Sequence, residues 1–192
     1  MMIDPFWRAQ PETNLAPLTD AEQYLVGALF KAHNKSCFRP NVSSETLVST
    51  AAGSGSLTTS IAAALLTTGY RHAPIYETVM FLSLEDPAKV AEAILEAGNK
   101  IPGWGGHFQK TRPDPIWAGV DAALLDFNPL LHAKMSAVTG TLGKHGKTIF
   151  PNPSAYTAAV AITLQMPPVL AVYLFIVGRL DGWCQLAFTK II

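Results

Sequence analysis

The chain has 192 residues, the length of one domain or two small ones. Its fourteen basic and fourteen acidic side chains cancel, which excludes a protein built chiefly to grip nucleic-acid phosphates, a task that needs a basic excess. Charged residues make up only 15% against 49% apolar, so disorder over most of the chain is excluded and either a large core or a partner must cover the apolar surface.

The first eighteen residues carry three prolines and no clean period, and are expected to be an arm. Thr19-Asp20 can cap a helix through Glu22, Tyr24, Leu25, Leu29 and Phe30, whose spacing gathers the apolar groups on one side. His33 to Pro40 reads as a loop. Ser43-Ser44 opens a helix that ends near Gly53-Ser54-Gly55, and Leu57 to Leu66 forms another that stops at Gly69. The small residues between 49 and 64 allow close backbone approach. Pro74 to Leu84 is a shorter helix. Asp86-Pro87 is a cap followed by proline at the first helical position, and Gly98 marks the stop.

Residues 101–115 are rich in glycine and proline and read as a loop. Asp114 or Asp121 opens the next helix, and Lys144 to Pro153 is again a loop. Two helices, about 154–165 and 168–190, close the chain. Tyr156 to Gly178 is uncharged and long enough to span a bilayer on length alone. Gln165-Met166-Pro167-Pro168 divides it into two shorter helices, so no membrane span is expected. No strand pattern is present, and the expected class is all-α.

Cys37 and Cys184 stand far apart and outside any CxxC pattern, which argues against a structural zinc or a disulfide framework. The opening Met-Met-Ile-Asp-Pro lacks the basic and apolar regions of a signal peptide, and a cytoplasmic, reducing setting is expected. The five histidines are scattered, and a lone histidine is more often structural than a ligand. Gly103-Trp104-Gly105-Gly106 could present amides to a phosphate, although it follows no strand and matches no nucleotide fingerprint. Arg179 lies within an apolar helix, where a guanidinium is costly unless it is paired or binds an anion. A buried structural ion pair with Asp or Glu is an equal alternative.

Three stretches together resemble the citrate synthase and citryl-CoA lyase family. VSTAAGSGSLTTSIAAALLTTGYRHAPIYE, residues 48–77, is similar to the small-residue helix leading into the family's Gly-x-x-His-Gly-Gly turn. IPGWGGHFQKTRPDP, residues 101–115, is similar to its Pro-Gly-Phe-Gly-His-Arg loop with Lys-Thr-Arg-Asp-Pro. PNPSAYTAAVAITLQMPPVLAVYLFIVGRLDGWCQLAF, residues 151–188, resembles its Pro-Asn-Val-Asp-Phe helix, Leu-Gly-Ile-Pro turn and Ser-Arg-x-x-Gly-Trp helix.

The resemblance covers roughly residues 45–190. It implies an all-α, dimeric fold with a CoA-binding cleft between a large and a small domain. Residues 19–192 would form the helical domain, with 86–150 corresponding to the small-domain region and 1–18 an arm. Against a full citrate synthase the resemblance implies a shorter helical domain, expected to be truncated among the N-terminal helices and to lack the C-terminal arm that reaches a partner's site.

In the family a histidine polarises the thioester of acetyl-CoA, an aspartate removes a methyl proton, a second histidine polarises the ketone of oxaloacetate, and arginines hold carboxylates. A thioester α-proton is so weak an acid that base and oxygen donor must act together. The resemblance places His72 on the thioester-polarising histidine, followed by Ala73-Pro74 instead of Gly-Gly. It places Arg179 on the carboxylate-binding arginine and Lys110 on a basic position after the Gly-His loop. Gly106 falls on the ketone-polarising histidine, with His107 one position later. Cys37, or His33 across a small gap, lies near the histidine of an Asp-His-Glu-type segment.

Ser154 stands where the family has its catalytic aspartate, and neither neighbour is acidic. A neutral hydroxyl does not abstract a thioester α-proton without activation, and losing a general base costs about a hundred- to ten-thousand-fold. The ordinary condensation is therefore expected to be absent or very slow.

The leading expectation is a divergent acyl-CoA enzyme that makes or breaks a carbon–carbon bond beside a thioester. His72, His107 and Ser154 would be catalytic, Arg179, His33 and Lys110 would hold the substrate, and Gly103 to Gly106 would approach CoA. The alternative is a disabled homologue that binds CoA or a carboxylate, or a subunit completed by a partner. A purely structural oligomer fragment ranks third. Expected ligands are a CoA thioester and a small carboxylate such as oxaloacetate or citrate, with no metal and no nucleic acid, in a homodimer or hetero-oligomer.

Overall fold

The computed structural model of the chain describes residues 17–39, 43–67, 73–106 and 111–191. Its described elements are helices: α1 (Asp20–Ser36), α2 (Ser43–Ala52), α3 (Leu57–Leu65), α4 (Ile75–Leu82), α5 (Pro87–Glu96), a 3-10 turn (Pro115–Trp117), α6 (Ala118–Phe127), α7 (Pro129–Lys144), α8 (Pro153–Thr163) and α9 (Pro168–Ile191). Among the described residues there is no strand, only an isolated bridge between Trp104 and Pro151. The all-α expectation holds. The expected arm lies almost wholly outside the described residues, as does the stop at Gly69.

Local chemistry sets the helix starts. Thr19 and Glu22 form a reciprocal capping box at the start of α1, satisfying two amide donors that have no partner within the helix. Asp86 accepts the Lys89 amide ahead of Pro87, and Asn152 accepts the amides of Ser154 and Ala155 ahead of Pro153. Each pairs a side-chain acceptor with a proline that has no amide to lose.

Two boundaries depart from expectation. The segment from His33 was expected to be a loop, but α1 continues through Ser36. The His33 ring is fully buried, edge-on to Trp117 and Phe175 at 5.0 and 4.9 Å, so tertiary packing extends the helix through a polar stretch. The single helix expected up to Lys144 is two. Asn128 ends α6 in a non-helical conformation (φ −144°, ψ 68°) and accepts the Leu131 amide at the start of α7, where Pro129 follows. A proline there cannot continue α6, because its ring would strike the preceding turn.

α8 lies at the centre. Ser154 through Ala161 are all buried, mostly as small residues that let α4, α6, α9 and α1 approach it. Leu25 and Leu29 of α1, Val79 and Leu82 of α4, Val120 and Leu124 of α6, Val138 of α7 and Val160 of α8 share the main core. Tyr24, expected on the apolar side of α1, is 65% exposed. A second, smaller cluster joins Cys37, Val48, Ala52, Ala64, Trp183 and Ala187 where α2 and α3 cover the end of α9.

The break between α8 and α9 falls where it was expected, with Gln165 in the left-handed region (φ 54°). α9 is by length and composition long and apolar enough to cross a membrane. In the fold it packs against α1, α2, α3, α4 and α8.

α9 meets α1 at unusually short range through two glycines. A Cβ on Gly178 would lie 2.9 Å from the His33 ring, and one on Gly182 would lie 2.8 Å from both Cβ and Sγ of Cys37. The spacing of four residues puts both glycines on the same face of α9. That approach brings His33 within reach of Arg179.

Candidate functional site

Arg179 is 95% buried, with 5% exposure. Its Nη1 donates to Glu45 Oε1 at 2.8 Å, its Nε donates to His33 Nδ1 at 3.3 Å, and its guanidinium carbon stands 4.6 Å from the centre of the Phe175 ring. Trp183 Nε1 also donates to Glu45 Oε1, at 3.1 Å. Glu45 is itself 4% exposed. Of the two arrangements open to a guanidinium in an apolar helix, a bound anion or an internal ion pair, the fold contains the second.

His33 continues the network. Its Nε2 lies 2.8 Å from Thr157 Oγ1, and that hydroxyl donates to the Pro153 carbonyl at 2.8 Å. The threonine proton is thus committed to the carbonyl, so the oxygen accepts from His33 Nε2–H. The other ring nitrogen accepts from Arg179. Both partners assign the same neutral tautomer. Burial, with the adjacent Arg179 charge acting in the same direction, holds the imidazole well below its ordinary pKa. A line of hydrogen bonds therefore runs from Glu45 on α2 through Arg179 and His33 to Thr157 and the first residue of α8, immediately before Ser154.

Ser154 is 4% exposed in the first turn of α8, its amide held by the Asn152 side chain at 2.8 Å. From Phe150 to Gln165 the sequence contains no Asp or Glu. The fold thus aligns Arg179, His33 and the helix start that carries Ser154. His72, His107 and Lys110 lie outside the described residues.

The Gly103–Gly106 segment is bound into the core. A Cβ on Gly103 (φ +82°) would lie 2.5 Å from the Thr78 side chain and 3.1 Å from Ala155, so only glycine fits there. The Trp104 side chain is buried, with Nε1 donating to Thr139 at 3.0 Å. The amides of Trp104 and Gly105 donate to the carbonyls of Ile101 and Phe150, and the Asn152 amide returns to Gly103. Asn152 Nδ2 donates to the Gly105 carbonyl. The expected CoA loop is therefore tied directly to the cap of α8, with two of its amides already hydrogen-bonded. Gly106 follows in the left-handed region (φ 146°).

Sequence reasoning identified Arg179 and His33 but missed Glu45. It lies 134 positions before its partner, and only its place within an apolar, hydroxyl-rich helix marks it in the sequence. Arg39 was missed too. It makes a two-pronged pair with Asp114 at 2.5 and 2.6 Å, and Asp114 also accepts the Ile116 amide, fixing the end of α1 to the 3-10 turn. Cys37 donates to the carbonyls of His33 and Arg179, and burial pushes its thiol up to about 12, where it is no nucleophile at neutral pH. No group of three or more His, Cys, Asp or Glu suited to a metal occurs among the described residues.

No protein-family model matches the chain, and no curated protein matches it in sequence. Solved structures match its fold. Citryl-CoA lyase from Hydrogenobacter thermophilus superposes with a TM-score of 0.73 at 22% identity, over 93% of this chain and 77% of that one. Citrate synthase from Thermotoga maritima gives 0.73 at 22%, over 89% of this chain and 49% of the other. ATP citrate lyase from Methanothrix soehngenii, in complex with citrate and coenzyme A, gives 0.76 at 16%, over 91% and 32%. The chain has a citrate synthase-like fold, and spans about half the length of that citrate synthase and a third of that ATP citrate lyase.

Proposed function

We propose that the chain is a CoA-thioester-binding homologue of the citrate synthase fold that does not itself remove a thioester α-proton. The observation that carries this reading is Ser154. It is buried at the start of α8, in the position that resembles the family's aspartate, with no acidic residue on the same helix. An alkoxide there would need a base to form it. His33, which the hydrogen-bond line brings nearest, has its Nδ1 facing a guanidinium and its Nε2 protonated. His72 would face the thioester oxygen in this reading, and residues 86–150 would form the small-domain side of the cleft. A partner, either a second copy or a competent subunit, belongs to the reading. It is supported by the exposed apolar side chains of Val169, Tyr173, Val177 and Phe188 along α9.

The test is a calorimetric titration of the chain with CoA and acetyl-CoA, followed by a thiol-release assay with oxaloacetate. Saturable binding without thiol release is expected. Release at the rate of a working citrate synthase contradicts the reading.

A second reading is cleavage of a citryl-CoA-like substrate, favoured by the 77% of the citryl-CoA lyase chain that this one spans. Retro-aldol cleavage needs a base at a hydroxyl rather than at a methyl group, a task open to His107. Thiol-independent release of oxaloacetate from citryl-CoA distinguishes it.

A further inference from the structure

We propose that Glu45 is an internal carboxylate ligand that fills the anion-binding position of Arg179, so that the folded chain excludes small carboxylates from this site. The proposal concerns the carboxylate half of the site and holds whether or not CoA binds.

The geometry is that of a ligand in a receptor. One carboxylate oxygen, Glu45 Oε1, receives two donors from α9: Arg179 Nη1 at 2.8 Å and Trp183 Nε1 at 3.1 Å. The donors are fixed independently of Glu45. Arg179 is held from its far side by His33 Nδ1 and over the Phe175 ring, and Trp183 is fully buried in the second core cluster. The anion position is therefore shaped by α9, and α2 supplies only its occupant. A carboxylate with two fixed donors, one of them a guanidinium, is the arrangement used to recognise small carboxylates.

The position also borders open space. Glu45 lines a cavity of about 580 Å³ together with Cys37, Phe38, Arg39, Thr46 and Lys190. A carboxylate entering there passes two basic side chains and meets the Glu45 carboxylate in front of Arg179. Like charge and occupied donors exclude it. Shortening Glu45 to alanine leaves a pocket the size of a carboxylate, joined to the cavity and facing Arg179 Nη1 and Trp183 Nε1 without the oxygen they share. A small carboxylate fits it, and a neutral amide of equal size lacks the charge.

The experiment compares wild type with Glu45→Ala, reading thermal melting in acetate, acetamide and chloride at matched concentration and ionic strength, and citrate binding by calorimetry. Glu45→Ala is expected to melt below wild type, to regain several degrees in acetate but not in acetamide or chloride, and to bind citrate at least tenfold more tightly than wild type. Wild type is expected to show no acetate-specific shift. Equal effects of acetate and acetamide on Glu45→Ala overturn the proposal. So does citrate binding to wild type that is lost in Arg179→Lys, a comparison that needs no Glu45 variant. Should Glu45→Ala fail to fold in every buffer, Glu45→Ser, which vacates the carboxylate's volume and removes the charge while leaving a small hydroxyl, carries the same titration: an acetate-specific gain supports the proposal, and none contradicts it. CoA titration of wild type is unaffected by any of these outcomes, so failure here and failure of the thioester reading are separately visible.

Discussion

Arg179 and His33 meet nitrogen to nitrogen, the guanidinium Nε donating to the imidazole Nδ1 at 3.3 Å. That bond is possible only for a neutral ring, because a protonated imidazole has no acceptor. It therefore ties the protonation state of one helix to the charge of another. Protonating His33 would lose the acceptor and set two positive charges against each other inside the core.

Stability should consequently depend on the pH range just below neutrality. The folded-state pKa of His33 lies below its unfolded value, so the unfolded chain takes up a proton that the folded chain refuses. The contribution is fully present above the unfolded pKa of about 6.5. As pH falls below it, stability declines by up to about 1.4 kcal/mol per pH unit until the folded pKa is reached. Urea unfolding at pH 7.5 and 5.5 checks this against His33→Gln, which keeps one donor and one acceptor and should lose this part of the slope. In NMR spectra of the folded chain, the His33 ring signals should titrate at lower pH than those of an ordinary histidine.

The close approach of α9 to α1 makes a second prediction. Gly178→Ala and Gly182→Ala each place a methyl group under 3 Å from a neighbour. The His33 ring beside Gly178 is hydrogen-bonded at both nitrogens and cannot move aside. Each substitution should cost about 1–3 kcal/mol, even though alanine is the better helix former. Gly140→Ala on α7, where a Cβ meets nothing within 4 Å, should instead stabilise by up to about 1 kcal/mol. Denaturant midpoints of the three variants check the contrast in sign.

Placing a carboxylate at residue 154 tests the proposed absence of a base there. An aspartate there gains from the α8 N-terminus, yet Glu45 still holds Arg179. Ser154→Asp alone is therefore expected to show no thiol release with acetyl-CoA and oxaloacetate. Turnover in that single variant would mean that Arg179 leaves Glu45 when a carboxylate substrate arrives.

Much of the fold was legible because its signals are local. The Thr19-Asp20 cap, Asp86 with Pro87, and the break at Gln165-Pro168 each act within a few residues of themselves, whereas the Asn152 cap ahead of Pro153 lay in a stretch expected to be loop. The failures were of two kinds. His33 to Ser36 is polar enough to resemble a loop and becomes helical only because Trp117 and Phe175 enclose the imidazole. Asn128-Pro129 breaks a helix inside an unbroken apolar rhythm, where the cap is easily overlooked. In the site, the sequence pointed to Arg179 through the cost of burying its charge, but a cost does not name a partner. Glu45 could not be found by spacing, because the pair is closed only by the packing of α2 on α9.

Proton NMR of acetyl-CoA with the chain in D2O reads binding and base catalysis in one sample. The account predicts saturation transfer from the protein to the adenine and acetyl protons of the ligand, while the methyl integral stays constant over hours with oxaloacetate present. Loss of the methyl signal by exchange with solvent deuterium would reveal a working base and contradict the account, and absence of saturation transfer would contradict it from the other side.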